Sequence, residues 1–245
     1  MFTVFIPSAF EAEATLRRLA GRRKCLVEGA PVWSGWLGGR PARVCVCGMG
    51  RKHSARRIRA VLEALRPLEE TDPVWLAGFG GGLDPSLARN ALVLLASNES
   101  AGASAHVRAL ERAEARNGMT LRHIACVHTA DEVLDTEEKK RAAFERTGAP
   151  IVDMESGPFL DLLREFGRNG AVLRVISDDV SEEFPADLIG NAYDFERGRD
   201  TPVRFAWHLL THPGDISRLY RFLSPLGPVR LRLAQSLEDA ARGIS

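Results

Sequence analysis

The chain has 245 residues, 33 of them Lys or Arg and 32 Asp or Glu, with a formal net charge of +1 and 45% hydrophobic residues. This composition suits one globular unit with a large core and excludes disordered, collagenous and fibrous classes. The balanced charge gives no global field to draw the chain onto nucleic acid, and no apolar run reaches the roughly 20 residues that span a bilayer. Cys25, Cys45, Cys47 and Cys126 form no CxxC pair, so a reduced, cytoplasmic setting is expected. The histidines show no ligand spacing, and neither a metal nor a cofactor is expected.

Apolar bursts of strand length alternate with longer helical patterns. Phe2 to Ile6 reads as a buried strand, followed by a helix from Glu11 to Ala20 with Ala14, Leu16 and Leu19 on its inner face. A hairpin, Cys25 to Val27 with Val32 to Leu37, precedes a strand Ala42 to Cys47 and a helix Ser54 to Leu65 stopped by Pro67. Val74 to Ala77 is a strand that runs into Gly78, Gly80, Gly81 and Gly82, and Ala91 to Ala96 resumes as another. A helix Ala105 to Arg116, a strand Thr120 to Val127, a helix Glu137 to Arg146, a short strand Ile151 to Asp153, a helix Gly157 to Phe166 and a strand Ala171 to Ile176 follow. The alternation predicts an α/β unit with a parallel or mixed sheet covered on both faces and ligands at the carboxyl ends of its strands. Residues 1–180 form the core of this reading, and 181–245 a helical extension of the same domain.

That extension has its own composition. Seven arginines lie between Arg197 and Arg232 against two acids, Asp200 and Asp215, interleaved with Trp207, Leu209, Leu210, Ile216, Leu219, Tyr220, Phe222 and Leu223. Four readings stay open: a surface cap packed on the body, a cover over a hydrophobic ligand, a peripheral contact with an anionic membrane, or a dimer contact. Residues from Pro202 to Gly243 are expected to be mainly helical.

Two glycine clusters and three acids are the candidates for chemistry. VWLAGFGGGLDP is not GxGxxG, because Leu83 closes the pattern that Gly78 opens, and Gly48, Met49, Gly50 fails likewise at His53. Each alone reads as a tight turn; two such turns at strand ends make a pocket. Glu13, Glu155 and Asp178 each follow a strand. Alone, each reads as a helix N-terminal charge or a solvated loop residue. If the strands are neighbours, the carboxylates converge on one sheet edge, where they can protonate a leaving group, activate water and hold sugar hydroxyls.

Taken in order, Phe2 to Glu13, GMG at 48–50, GFGGGLDP at 78–85, VDMES at 152–156 and VLRVISDD at 172–179 resemble the nucleoside phosphorylase and nucleosidase family, in particular the methylthioadenosine/S-adenosylhomocysteine nucleosidases. The resemblance implies a three-layer α/β/α sandwich around a mixed sheet and cleavage of a purine N-glycosidic bond without a cofactor. It implies that Glu13 activates water, that Asp178 protonates the departing base with Ser177 beside it at the purine edge, and that Met154 and Glu155 hold the ribose. Gly50, Phe79, Gly80, Gly81, Val133 and Asp153 complete the implied substrate-binding set. The implied partner is a small-molecule nucleoside, and a homo-oligomer is expected.

The departures are as specific. Phe79 stands where the nucleosidases tend to have a serine, Asn90-Ala91 where a glycine-aspartate is common, and Val133 where an aromatic stacks on the base. Trp75, Leu76 and Ala77 stand where phosphorylases bring a phosphate-binding arginine; such an apolar wall disfavours phosphate. The C-terminal composition resembles that of hopanoid-associated members, which act on an adenosylated triterpenoid. Hydrolysis is favoured; the rivals are a phosphorylase that takes phosphate donors from Gly50, Arg51 or a neighbouring subunit, and a non-catalytic nucleoside-binding protein.

Overall fold

Phe2, Val4 and Ile6 point to one face of the sheet and Phe5 to the other, and all four are buried, so β1 (Phe2–Ile6) must lie inside a sheet covered on both sides. The computed structural model, which describes residues 1–64, 72–102, 104–194 and 198–243, places it there. After β1 come α1 (Ala9–Arg18), the antiparallel β2 (Ala20–Val27) and β3 (Ala30–Leu37), β4 (Arg40–Val46) and α2 (Arg51–Ala64). The middle of the chain forms β5 (Val74–Gly82), β6 (Leu92–Ala96), α3 (Glu99–Gly102), α4 (Ala105–Arg116), β7 (Leu121–His123), β8 (His128–Thr129) and α5 (Glu137–Thr147). Then follow β9 (Ile151–Asp153), α6 (Ser156–Glu165), β10 (Gly170–Asp178), α7 (Ala186–Ala192), the small pair β11 (Tyr193–Asp194) and β12 (Arg199–Asp200), and the helices α8 (Pro202–Thr211), α9 (Gly214–Leu223) and α10 (Leu226–Ala241). The expected ends of the α2 helix, Leu65 and Pro67, and Arg197 in the extension lie outside the described residues.

The sheet runs β2-β3-β4-β1-β5-β10-β6-β7. β1 is parallel to β4 and β5, β10 is parallel to β5 and antiparallel to β6, and the sheet is therefore mixed, as expected. Residues of β1, β5 and β10 pack with α1, α4 and α10 on one face, and Phe5, Leu76 and Val172 with α2 and α6 on the other. The expected strand Thr120–Val127 is shorter: β7 ends at His123, and a separate strand, β8, starts only after Val127. Ile124 still donates to Leu94 O, but β8 then leaves the main path and joins β9.

The cause is a fork in β5. Through Gly80 it pairs with β10, and at Gly81 and Gly82 it also pairs with β9, antiparallel. β10 answers with an irregularity between Ile176 and Asp178, the kind of bulge that re-aims a strand end. Side chains from β5, β9 and β10 are thereby gathered at one edge.

The three C-terminal helices differ from one another. Leu226, Val229, Leu233, Leu237, Ala240 and Ala241 of α10 are buried in the same cluster as Phe2, Val4 and Leu173, so this helix belongs to the core. α8 and α9 have no fully buried residue and leave Val203, Trp207 and Leu210 on the surface at 83%, 69% and 77% exposure. Among the described residues no helix is long and apolar enough to cross a membrane.

A core role for α10 has a direct check. Leu233→Ala should cost about 2–5 kcal/mol, the usual range for emptying a packed leucine site, whereas Leu231→Ala, two residues away and on the surface, should stay within about 0.5 kcal/mol. Urea unfolding of the two variants measures the difference.

Candidate active site

The site starts at the N-terminus of α1. Ser8 caps the helix by accepting from Glu11 N at 3.2 Å, and the Glu11 carboxylate returns to accept from Ser8 N at 3.0 Å, a reciprocal capping box. Its other oxygen accepts from Phe79 N in β5 at 2.7 Å. Burial pushes the Glu11 carboxyl up; the Ser8 and Phe79 hydrogen bonds and the charge of Arg174 pull against that without cancelling it.

Arg174 is fully buried in the middle of β10. Its Nε donates to Asp153 Oδ2 at 2.8 Å and its Nη2 to Glu155 Oε2 at 3.4 Å. Burial works against its charge, but Asp153, Glu155 and Glu11 outweigh it and hold the guanidinium protonated. Gly78 makes the space: a Cβ there would lie 2.5 Å from Arg174 Nη1 and 2.9 Å from Glu11 Oε1. The glycine cluster thus serves an arginine and a glutamate of this chain.

Glu155 follows β9 and opens α6, with Gly50 N donating to its Oε1 at 2.8 Å. Burial raises its pKa to about 7, with Arg174 pulling down and Asp153 pushing up. Asp178 ends β10, and Ser177 Oγ donates to its Oδ1 at 2.5 Å. Glu11, Glu155, Ser177 and Asp178 open on a cavity of about 430 Å³. Its far wall is apolar, with Phe10 from α1, Phe184 from the loop after β10, and Phe205, Leu219 and Phe222 from α8 and α9. Tyr193 also lines it and accepts from Met49 N at 3.1 Å, which ties β11 to the loop before α2. Among the described residues, the charged side chains that line the cavity, Glu11, Glu132, Asp153, Glu155 and Asp178, are all acids.

Of the residues expected from sequence, Phe79, Gly80, Gly81, Val133, Asp153, Met154, Glu155, Ser177 and Asp178 line this cavity. Gly50 stands behind it and acts through its N–H on Glu155. Asp153 faces inward to Arg174 and Ser156. Gly78 is spent on Arg174, and Gly82 lies outside the lining.

Glu13 is not in the site, which corrects the sequence reading. It is 40% exposed and pairs with Arg17 and with Arg230 of α10. Two residues along a helix turn the side chain by about 200°, so Glu11 and Glu13 face opposite ways and only Glu11 looks at the sheet. The signal for Glu11 was present in Ser8-x-x-Glu11, the sequence form of a capping box. Arg174 was missed as well, although a lone cation inside the apolar run AVLRVI is a buried charge that demands partners.

The sequence model of the Phosphorylase superfamily matches residues 95–197. No curated protein matches the chain. Among solved structures, futalosine hydrolase of Helicobacter pylori is 16% identical, with 98% of this chain and 96% of that one covered at a TM-score of 0.69. The 5′-methylthioadenosine/S-adenosylhomocysteine nucleosidase of Neisseria meningitidis, solved with methylthio-immucillin-A, is 14% identical, with 99% of each chain covered and a TM-score of 0.69. This is the nucleosidase fold. The corresponding enzyme of S. pneumoniae gives 14% identity, 100% and 99% coverage and a TM-score of 0.67. The match runs through α8, α9 and α10, so the C-terminal helices fall within the length of the nucleosidase fold.

The raised Glu155 pKa carries a sign that can be tested. A carboxyl that holds its proton more tightly when folded stabilises the fold at low pH and loses that contribution as pH rises from the ordinary 4.5 to about 7. Glu155→Gln should flatten this part of the stability profile, removing a fall of up to about 3 kcal/mol. Urea midpoints measured across this window, for wild type and variant, read it out.

Proposed function

We propose that the protein is a hydrolytic purine nucleosidase that acts on an adenosine-type nucleoside with an apolar group at its 5′ end. The observation that carries this reading is the convergence of Glu11, Glu155 and Asp178, from three separate elements, on one cavity with an apolar wall. In this reading Met154 and Glu155 hold the ribose, and Ser177 and Asp178 meet the purine. Asp178 takes up a proton from solvent as the nucleoside binds and passes it to the departing base; Glu11 takes the position first expected of Glu13, draws a proton from the attacking water and later returns it to solvent. The sugar develops oxocarbenium character, which buried carboxylates stabilise.

Hydrolysis is favoured over phosphorolysis by charge. A phosphate dianion in this cavity would face, among the described residues, five acidic side chains and no lining Lys, Arg or His; phosphate needs several donors to offset its desolvation. Arg51, the cation considered for that role, pairs with Asp131 at 2.8 Å on the surface. Phe205, Leu219 and Phe222 give the cavity room for a large apolar 5′ substituent, a triterpenoid among the candidates.

Base release from 5′-methylthioadenosine, followed with and without phosphate, tests the reading. Glu11→Gln and Asp178→Asn should each lower turnover by at least about 100-fold, the scale of general acid–base contributions. Glu13→Gln should stay within about threefold, as for other exposed ion pairs. Phosphate should not raise the rate, and the sugar product should be a free reducing sugar. A sugar 1-phosphate would mean phosphorolysis, and no release from any nucleoside would mean a binding protein.

The apolar wall has its own check. Phe222→Ala should raise KM for an adenosine carrying a long 5′-alkylthio chain by about tenfold or more, on the scale of burying a phenylalanine side chain. KM for 5′-methylthioadenosine should move by no more than about threefold. Steady-state kinetics on the two substrates separates these outcomes.

A further inference from the structure

The carboxylate at the end of β10 is gripped from behind. Lys140, on α5, is completely buried, a state that an ammonium tolerates only when its charge and its protons are met. It has three protons and three acceptors: Asp178 Oδ2 at 2.5 Å, Asp179 O at 2.7 Å and Glu182 O at 2.7 Å. None is left for a ligand, and Lys140 is not among the residues that line the cavity.

α5 delivers this side chain through its register. Thr136 caps the helix, and Lys140 and Ala143 form its buried side, whereas the adjacent Lys139 turns outward to Asp135. An apolar residue at position 140 would pack the helix without the desolvation that a buried ion pair entails. What the ammonium adds is direction. Ser177 Oγ holds Asp178 Oδ1 and Lys140 holds Oδ2, so both oxygens are fixed and the carboxyl plane cannot turn. The two carbonyl contacts extend the grip to the following loop, where Phe184 lines the cavity and meets Phe222 edge-on at 5.0 Å.

We propose that Lys140 is a positioning residue for base departure, fixing the Asp178 carboxyl. The proposal rests on the nucleosidase reading of the site.

A double-mutant cycle tests it. Lys140→Gln keeps an amide donor without the charge, and Asp178→Asn removes the group on which the lysine acts. With Asp178 in place, Lys140→Gln should lower kcat for 5′-methylthioadenosine by about 30-fold or more, in line with the cost of misplacing a reacting group, and leave KM within about threefold. In the Asp178→Asn background the same change should cost less than about threefold. Independent, multiplicative losses, or a rise in KM with kcat unchanged, would overturn the proposal while the nucleosidase reading stands. A wild-type protein that releases no base would overturn that reading and the proposal with it. If Lys140→Gln fails to fold with Asp178 present, the double variant decides. Its folding would support coupling, since no buried charge is then left unpaired, and its failure would show that Lys140 serves the whole fold and overturn the proposal.

Discussion

A guanidinium buried away from water organises the edge of the sheet where the cavity opens. Arg174 contacts Asp153 and Glu155 and lies close enough to Glu11 to feel its charge. In a low-dielectric interior such a cluster is strongly coupled. Burial raises the carboxyls of Glu11 and Glu155 above the ordinary range, and the charge of Arg174 pulls both down without cancelling that rise. β5 has to give up side chains to admit the arginine, which accounts for a glycine at position 78.

Much of the frame was legible in the sequence. β1, α4 and β9 match the expected limits to the residue, because each is a short apolar burst or a clear helical pattern between turn signals. The fork of β5 was not legible, since pairing with two different strands leaves no mark on local periodicity. Met154, Glu155, Ser177 and Asp178 were named through the family resemblance, and all four line the cavity. Glu13 does not, and proximity to a strand end says nothing about which way a helical side chain turns. Lys140, in the charged run EEKKR, looks like any surface cation until its partner, 38 residues away, is known, whereas the apolar run around Arg174 signals its burial but not its partner 21 residues away.

The helices after the sheet divide their work by face. Along α8, Phe205 looks into the cavity while Val203, Trp207 and Leu210 look out. α10 hides its nature in the sequence, since Arg230 and Arg232 interrupt the run. The spacing of Leu226, Val229, Leu233 and Leu237 is nonetheless that of a helix with one apolar side. Its arginines are also employed: Arg230 pairs with Glu13 and stands 4.6 Å over the Phe10 ring, and Arg232 pairs with the buried Glu114.

The pairing of α1 with α10 bears on how the site is held. Arg18 and Glu238 meet across 220 residues of chain, and Glu13 and Arg230 form a second clasp between the same helices. Contacts of such sequence separation are costly in chain entropy and tend to form late. Glu11 rides on α1, so the helix that carries a carboxylate of the cavity on one side is clasped by the C-terminal helix on the other, and a loosening of α10 would be felt at Glu11 through α1.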